Sequence, residues 1–281
     1  MRRIESLTRP IAILLTALLG MLMYVGNFAW WFDREIVDPE HFVDSTVAAL
    51  GKEKSRDAMS ELIVDRLVEG YPLLIVVESN LVGMFSDLLA TPALSEVVTS
   101  VGVDVHEAIV TGNQDAVVIN LKEYREVILA PLGAIAPRLA DLVVDDWFVS
   151  IEVLGTGALP DLSLHAEWAG TARFVAIAGA VVLTVFLIWY VRRREIVVVL
   201  VGAAFVFAGF ASALLVPGGR WLAIRDVGRQ PVEVLMASAY TEFARSLLLS
   251  AAVLVLIGLA MVATGAAMWS AVEDDEPASA I

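Results

Sequence analysis

The residues Trp189 to Glu195 read WYVRRRE and separate two long apolar runs, 174–190 and 196–216. Basic residues are enriched in the short cytoplasmic loops of membrane proteins, and aromatic residues collect at the membrane–water interface. A triple arginine beside an aromatic pair, placed between two apolar runs, therefore predicts the tight cytoplasmic turn of a helical hairpin. The predicted determinants of topology are Arg192, Arg193 and Arg194.

The composition is that of a membrane protein with several spans. Hydrophobic residues make up 58% of the 281 residues, whereas soluble domains are about half apolar, and the excess is concentrated in four runs. The formal net charge of −14 argues against nucleic acid as a partner, because binding phosphates requires a basic surface. The chain has no cysteine, so disulfides, thiol catalysis and cysteine-based zinc sites are excluded.

The four apolar runs predict four transmembrane helices, since each has about 18–23 residues and can cross ~30 Å of hydrocarbon. The first follows a basic start, as a signal peptide would, but it extends from Ile11 to Trp31 without a small-residue cleavage site, so we expect an uncleaved anchor. The predicted division is a cytoplasmic N-terminus (1–10), helix one (11–32), an acidic extracytoplasmic domain (33–171), helix two (172–191), a cytoplasmic turn (192–195), helix three (196–216), an external loop with a short helix (217–246), helix four (247–269) and an acidic cytoplasmic tail (270–281).

The arginines of the short loops predict the orientation. With both termini in the cytoplasm, six arginines lie inside (positions 2, 3, 9 and 192–194) and four lie in the outer loop (positions 220, 225, 229 and 245). The long segment after helix one is not counted, because long translocated domains escape the rule. We therefore expect a multi-pass protein of the plasma membrane with cytoplasmic N- and C-termini.

The predicted fold class is mainly α, a four-span helical protein whose mostly helical extracytoplasmic domain carries a small two-stranded β element. Acidic residues outnumber basic ones 24 to 8 over 32–171. A proline that follows a capping residue, as in Asp38-Pro39 and Thr91-Pro92, marks a helix start. The predicted helices are 38–50, 53–69, 73–90, 91–111 and 122–143, and the predicted strands are 116–121 and 147–154.

An acidic ridge is predicted along the second helix of this domain. Its members recur every four residues and therefore share one helix face, where each like-charged pair costs a few tenths of a kcal/mol. Such a ridge can collect cations, bind a basic partner or simply be a solvated face. The residues are Glu53, Asp57, Glu61, Asp65 and Glu69.

The predicted external loop carries Arg220, Arg225 and Arg229 together with Trp221. Two interpretations are open. The arginines can lie on anionic lipid headgroups, which attract basic segments, or they can dock against the acidic domain on the same side of the membrane. We favour docking.

Small residues recur at intervals of seven in the last two spans, at Gly202 and Gly209 and at Ala251, Gly258 and Gly265. Small side chains let helix backbones approach closely in lipid. We therefore expect the C-terminal helices to pack tightly against one another.

No motif for catalysis, metal binding or cofactor binding is present. The three histidines, at positions 41, 106 and 165, are far apart, and the sequence contains no G-x-S-x-G, H-E-x-x-H, P-loop or calcium-loop pattern. Ion-coupled transporters hold ionisable groups within the membrane, and none of the predicted spans contains an internal charge. The sequence therefore predicts no enzyme, no metal and no cofactor.

Three segments, 42–44 (FVD), 105–112 (VHEAIVTG) and 117–121 (VVINL), together with the acidic amphipathic helix, resemble uncharacterised integral membrane proteins common in actinobacteria. The similarity spans roughly residues 10–155. It implies one N-terminal span, a helical extracytoplasmic domain and C-terminal spans, and it implies no activity.

The layout of one span, a large external domain and three further spans is similar to that of FtsX-like and MacB-like transmission subunits of ABC systems. Residues 193–196 (RREI) resemble a segment that follows the second helix of those proteins. This resemblance implies a cytoplasmic coupling helix, but here the third span begins immediately after the arginines and leaves no room for one.

The sequence thus favours a non-enzymatic, membrane-anchored interaction or sensing module. Its expected partners are the lipid bilayer and either an envelope protein or a second copy of the chain. The alternative is a permease-like transmission subunit of an ABC-type assembly, and a third hypothesis is an enzyme with an unrecognised extracytoplasmic site.

Overall fold

The structure, a computed structural model, describes residues 2–112, 117–119, 151–154, 161–191, 193–225 and 230–274. The chain divides into two compact units, which are considered separately. The first, called the bundle, consists of 1–33, 167–219 and 244–281. The second, called the domain, consists of 34–166 and 220–243.

The described residues are mainly helical. The elements in chain order are α1 (Arg2–Phe32), a π-helical turn (Asp33–Val37), α2 (Pro39–Leu50), α3 (Glu53–Gly70), a 3₁₀ segment (Pro72–Val77), α4 (Glu78–Leu89), α5 (Pro92–Thr111), β1 (Val117–Ile119), β2 (Ile151–Leu154), α6 (Ser163–Tyr190), α7 (Arg194–Ile224) and α8 (Gln230–Asp274).

Five helical segments of the described chain are long and apolar enough to cross a membrane, so the chain has the character of a multi-pass membrane protein. The predicted count of four is not supported by length and composition, because Pro72–Leu89 also qualifies, with a mean hydropathy of 1.5 against 2.0 to 2.6 for the others. The segments are Pro10–Val37, Pro72–Leu89, Ser163–Tyr190, Arg194–Leu222 and Gln230–Ser270.

The core of the bundle joins α1, α6 and α7. Leu19 of α1 and Leu187 of α6 are fully buried and cluster with Val197, Val201 and Ala204 of α7. These side chains are aliphatic and small enough to interdigitate between closely spaced helices. The bundle core therefore consists of one layer shared by three helices.

The small residues at intervals of seven line the contact between α7 and α8. A Cβ added at Gly202 would lie 2.8 Å from the carbonyl oxygen of Gly258, and one at Gly209 would lie 2.6 Å from that of Ala251. A Cβ at Gly265 would lie 2.9 Å from the carbonyl oxygen of Glu195. The predicted close packing of the C-terminal helices is confirmed.

Helix α7 continues through Pro217 to Ile224, and the expectation that Pro217-Gly218-Gly219 ends the helix is wrong. Proline removes one backbone hydrogen bond but does not forbid a helix, and such interruptions are tolerated in membrane helices. Helix α8 begins at Gln230, with Pro231 in its first turn, and runs without a break for 45 residues. The segment predicted as an external loop with a short helix at 217–246 is therefore helical over most of its described length.

The domain begins with a capped helix, as the sequence predicts. Asp38 accepts a hydrogen bond from the backbone N–H of His41 at 3.1 Å, and Pro39 occupies the first turn of α2. Helix α2 ends at Leu50, and the N–H of Gly51 bonds to the carbonyl oxygen of Val47 at 2.8 Å. Both ends of α2 lie where the capping signals place them.

The core of the domain lies between α3, the 3₁₀ segment, α4 and α5. The predicted helix 73–90 is divided, because its first five residues belong to a 3₁₀ segment, Pro72–Val77, and α4 begins at Glu78. The buried cluster consists of Val64, Leu67, Leu74, Leu81, Phe85, Leu88 and Val97.

Two short strands pair antiparallel, with an irregular register between Val117 and Val118. They have three and four residues, and a pair of this size is marginal by itself. The described residues thus contain only a short strand pairing, and this pairing does not establish the predicted two-stranded element as a sheet. The predicted helix 122–143 lies outside the described residues.

Candidate interaction surface

The acidic ridge predicted from the sequence is exposed on α3. All five ridge residues are solvent-exposed, while Ala58, Val64 and Leu67 of the same helix are buried. The helical period places these two sets on different faces. The ridge residues are Glu53, Asp57, Glu61, Asp65 and Glu69.

Two of the five carboxylates have partners in the structure. Ser86 of α4 donates a hydrogen bond to Asp57 at 2.6 Å, and Arg66 pairs with Glu69 at 3.0 Å. Both pairs are exposed, so they contribute little to stability. The ridge remains a negatively charged surface, because Arg66 neutralises only one of its five carboxylates.

An apolar surface follows the ridge directly. The side chains of Leu73, Ile75 and Val76 are 74%, 61% and 84% exposed, and we call these three residues the apolar tip. Leu74 between them is 2% exposed and belongs to the domain core. The 3₁₀ conformation has about three residues per turn, so it buries Leu74 and directs its neighbours outward.

The apolar tip is flanked by carboxylates, with Glu69 before it and Glu78 after it in the sequence. Contiguous exposed apolar residues mark interaction sites in soluble proteins, and burial of each such side chain contributes about 1.5–3 kcal/mol. Sequence reasoning assigned these residues to a helix and missed the tip. The available signal was an apolar run between Pro72 and Glu78 without helical spacing.

The arginine-rich segment forms the end of α7. Arg220 and Arg225 are exposed, and the Arg225 guanidinium lies 5.2 Å from the centroid of the Trp221 ring. Arg229 lies outside the described residues. Docking of these arginines on the acidic domain stays a prediction.

Residues 220–243 belong to the domain through other contacts. Lys52, at the start of α3, forms an ion pair with Glu242 of α8. In this pair the acidic segment contributes the positive charge and α8 contributes the negative charge. The Phe42 and Phe243 rings lie 5.3 Å apart. Apolar stacking and one ion pair therefore hold this part of α8 to α2 and α3.

Two of the three histidines, His41 and His106, make contacts within the domain. His41 lies 3.2 Å from Asp38 at the start of α2, and the hydrogen bonds from His41 hold the pKa of Asp38 below its usual value. His106 is buried, with its Nε2 3.0 Å from the carbonyl oxygen of Val37 and its ring 5.2 Å from Phe42. In the part of the chain that the structure describes, no group of three His, Asp or Glu side chains could hold a metal ion.

The basic turn lies between α6 and α7. Helix α6 ends at Tyr190, and Arg194 is the first residue of α7. Arg193 and Arg194 are exposed, whereas Arg192 lies outside the described residues. The connection is therefore as short as the sequence predicts.

Comparisons with known proteins assign no family to the chain, so its class is described from its own architecture. No family model, curated protein or solved structure matches it. What the structure defines is a multi-pass helical membrane protein with an acidic, mainly helical domain.

Proposed function

We propose that the protein is a membrane-anchored interaction module of the plasma membrane, with four spans and an extracytoplasmic domain that binds a protein partner without catalysis. The surface that binds is the acidic ridge together with the apolar tip. The single observation that carries this proposal is the exposure of Leu73, Ile75 and Val76 beside the ridge.

The choice of four spans rests on the packing of Pro72–Leu89. Leu74, Leu81 and Phe85 are buried in one cluster with residues of α3, and α3 carries eight charged residues in 18. A helix with that charge is excluded from hydrocarbon, because each central charge costs about 2.5–3.5 kcal/mol. A segment that packs along α3 is therefore assigned to the extracytoplasmic domain.

The orientation follows from the arginine bias of six inside against four outside. It places the N- and C-termini in the cytoplasm and the domain on the opposite side. A phosphatase reporter fused at Ala280 is expected to be inactive, since alkaline phosphatase folds outside the cytoplasm. An active fusion would reverse the topology.

The chemistry of the surface describes the partner. Insertion of the apolar tip into an apolar groove is favourable, because it removes apolar surface from water. The ridge beside the tip requires a basic rim on the partner. Anionic lipid is a poor match, because the carboxylates on both sides of the tip would be repelled by the headgroups. The expected partner is thus an envelope protein with an apolar groove and a basic rim.

The link between α6 and α7 argues against the transmission-subunit alternative. Three residues separate Tyr190 from Arg194, which is too few for a helix that docks on an ATPase.

Site-specific photocrosslinking in the native host tests the proposal. A photoreactive phenylalanine analogue at Ile75 is expected to capture one envelope protein with a basic surface. The same analogue at Val103, which is 44% exposed on α5, is the matched control and is expected to yield no such product.

Charge reversal of the ridge completes the test. Glu61→Lys combined with Asp65→Lys is expected to reduce the Ile75 product at least about tenfold, since each interfacial charge pair contributes on the order of 1 kcal/mol. Asp104→Lys combined with Glu107→Lys, two exposed positions on α5, is the control for net charge. Equal products at Ile75 and Val103, or a product insensitive to ridge reversal, would refute the proposed surface.

A further inference from the structure

A cavity of about 500 Å³ lies within the domain, between the end of α2, the start of α3 and the connection from α4 to α5. Cavities of this volume are typical of small-molecule sites. Its wall is largely aliphatic, with Val47, Leu50, Met59, Leu89 and Val98 among the lining residues. The cavity is therefore suited to an apolar chain.

One guanidinium lines this apolar cavity. Nη1 of Arg56 donates a hydrogen bond to the carbonyl oxygen of Gly51, whereas Nε of Arg56 is buried and has no hydrogen-bond partner among the described residues. A guanidinium donates along two edges of a planar fork. Because Nε is inaccessible, what the cavity offers a ligand is the positive charge of the Arg56 guanidinium, which favours an anion such as a carboxylate.

The first turn of α5 borders the same cavity through Pro92 and Ser95. No side chain caps this helix start, because Thr91 donates its hydroxyl to the carbonyl oxygen of Leu88 at 2.7 Å instead. Uncapped N–H groups and the helix dipole both favour a negative charge here. The start of α5 therefore adds to the preference for an anion that Arg56 gives the cavity.

The acidic surroundings limit the charge of the ligand. Glu96 also lines the cavity, and the segment as a whole has three acidic residues for each basic one, 24 to 8 over 32–171. Each additional negative charge on a ligand therefore meets repulsion that one guanidinium does not offset. A single negative charge fits, and a phosphate dianion does not.

We infer that this cavity binds a monocarboxylate with an unbranched aliphatic chain, such as a medium-chain fatty acid. The carboxylate pairs with the guanidinium of Arg56, and the chain lies along the aliphatic wall. This inference goes beyond the proposed function, because the apolar tip does not line the cavity and partner binding can fail while ligand binding holds.

Photolabelling tests the inference on the full chain in phosphatidylcholine nanodiscs. The probe is an octanoate with a diazirine at the end of its chain, and labelled peptides are mapped by mass spectrometry. Label is expected in residues 47–59 and 89–99, with competition by octanoate and not by octanol, which has the same chain without the charge.

Two variants and a control separate the contributions of the cavity. Arg56→Met is expected to weaken octanoate competition at least about tenfold, since it removes a charge-assisted contact, while Lys54→Met removes an exposed charge on the same helix and leaves competition unchanged. Ala90→Phe narrows the cavity with Arg56 intact and is also expected to reduce labelling.

The outcomes are distinct. Equal competition in Arg56→Met and Lys54→Met, competition by octanol as strong as by octanoate, or label confined to the membrane helices would each overturn the inference. Circular dichroism reports whether Arg56→Met folds, and if it does not, Ala90→Phe with the octanol comparison still decides.

Discussion

Replacing Gly258 by alanine adds one methyl group where α7 and α8 meet. An added Cβ at Gly258 lies 2.6 Å from the carbonyl oxygen of Gly202 and 2.7 Å from the backbone nitrogen of Val206. Both atoms belong to the backbone, so no side-chain rotation relieves the overlap. The two helices must separate locally, which loosens the contacts on either side of the seam.

The expected effect is the balance of two terms. Overpacking of a close contact costs about 1–3 kcal/mol, and replacing a helical glycine by alanine contributes about 0.5–1 kcal/mol in the opposite direction. The net destabilisation is therefore roughly 0.5–2 kcal/mol. Gly218→Ala is the matched control, because a Cβ at Gly218 meets no heavy atom within 4 Å.

Unfolding by SDS in mixed micelles, followed through tryptophan fluorescence, measures this difference. Gly258→Ala is expected to unfold at a lower SDS fraction than the parent protein, and Gly218→Ala at the same fraction or a higher one. If the two variants unfold at the same point, then the backbones of α7 and α8 do not approach as closely as described, and the reasoning is refuted.

Three further predictions concern the domain. Phe42→Ala removes a side chain packed on Phe243 and should lower the free energy of unfolding by about 3–5 kcal/mol, whereas Val103→Ala should change it by less than about 0.5 kcal/mol, as chemical denaturation would show. Exchanging Lys52 and Glu242 in one double variant should restore the Tm that either single charge reversal lowers, because the ion pair re-forms; no restoration would mean that the pair contributes nothing. Because the hydrogen bonds from His41 hold the folded pKa of Asp38 below its usual value, the stability from this charged cap is present above the unfolded pKa and is lost as pH falls through the folded pKa; the Tm deficit of Asp38→Ala should therefore be full at pH 7 and shrink as the pH is lowered below about 4, and a deficit that stays constant under acid conditions would contradict this.

Local signals in the sequence predicted the boundaries of two helices of the domain, α2 and α5. Asp38 with Pro39 and Thr91 with Pro92 mark the starts of α2 and α5, and Gly112 follows the end of α5 with a positive φ of 69°. A cap depends on the residues within one turn of it, so it can be recognised without knowledge of the fold. The seam of small residues was predictable for the same reason.

The acidic ridge was predictable from its spacing, but the exposure of the apolar tip and the existence of the cavity depended on packing that no local pattern contains. Leu73 and Leu74 are identical residues in adjacent positions, yet one is 74% exposed and the other 2%, because the packing of α3 and α4 decides which of them is covered. Pro217 is a strong local helix breaker, and the helix around it continues. The cavity at Arg56 joins residues from four helices, so its existence follows from tertiary packing alone.

The three-residue connection between α6 and α7 has a consequence for biosynthesis. Three extended residues reach only about 10–11 Å, far less than the ~30 Å of the hydrocarbon layer. Once both helices have formed, the end of α6 and the start of α7 must therefore lie at the same face of the bilayer. Two such spans cross in opposite directions, so a polar substitution in the middle of α6 that keeps it out of the bilayer would leave the start of α7 on the opposite face.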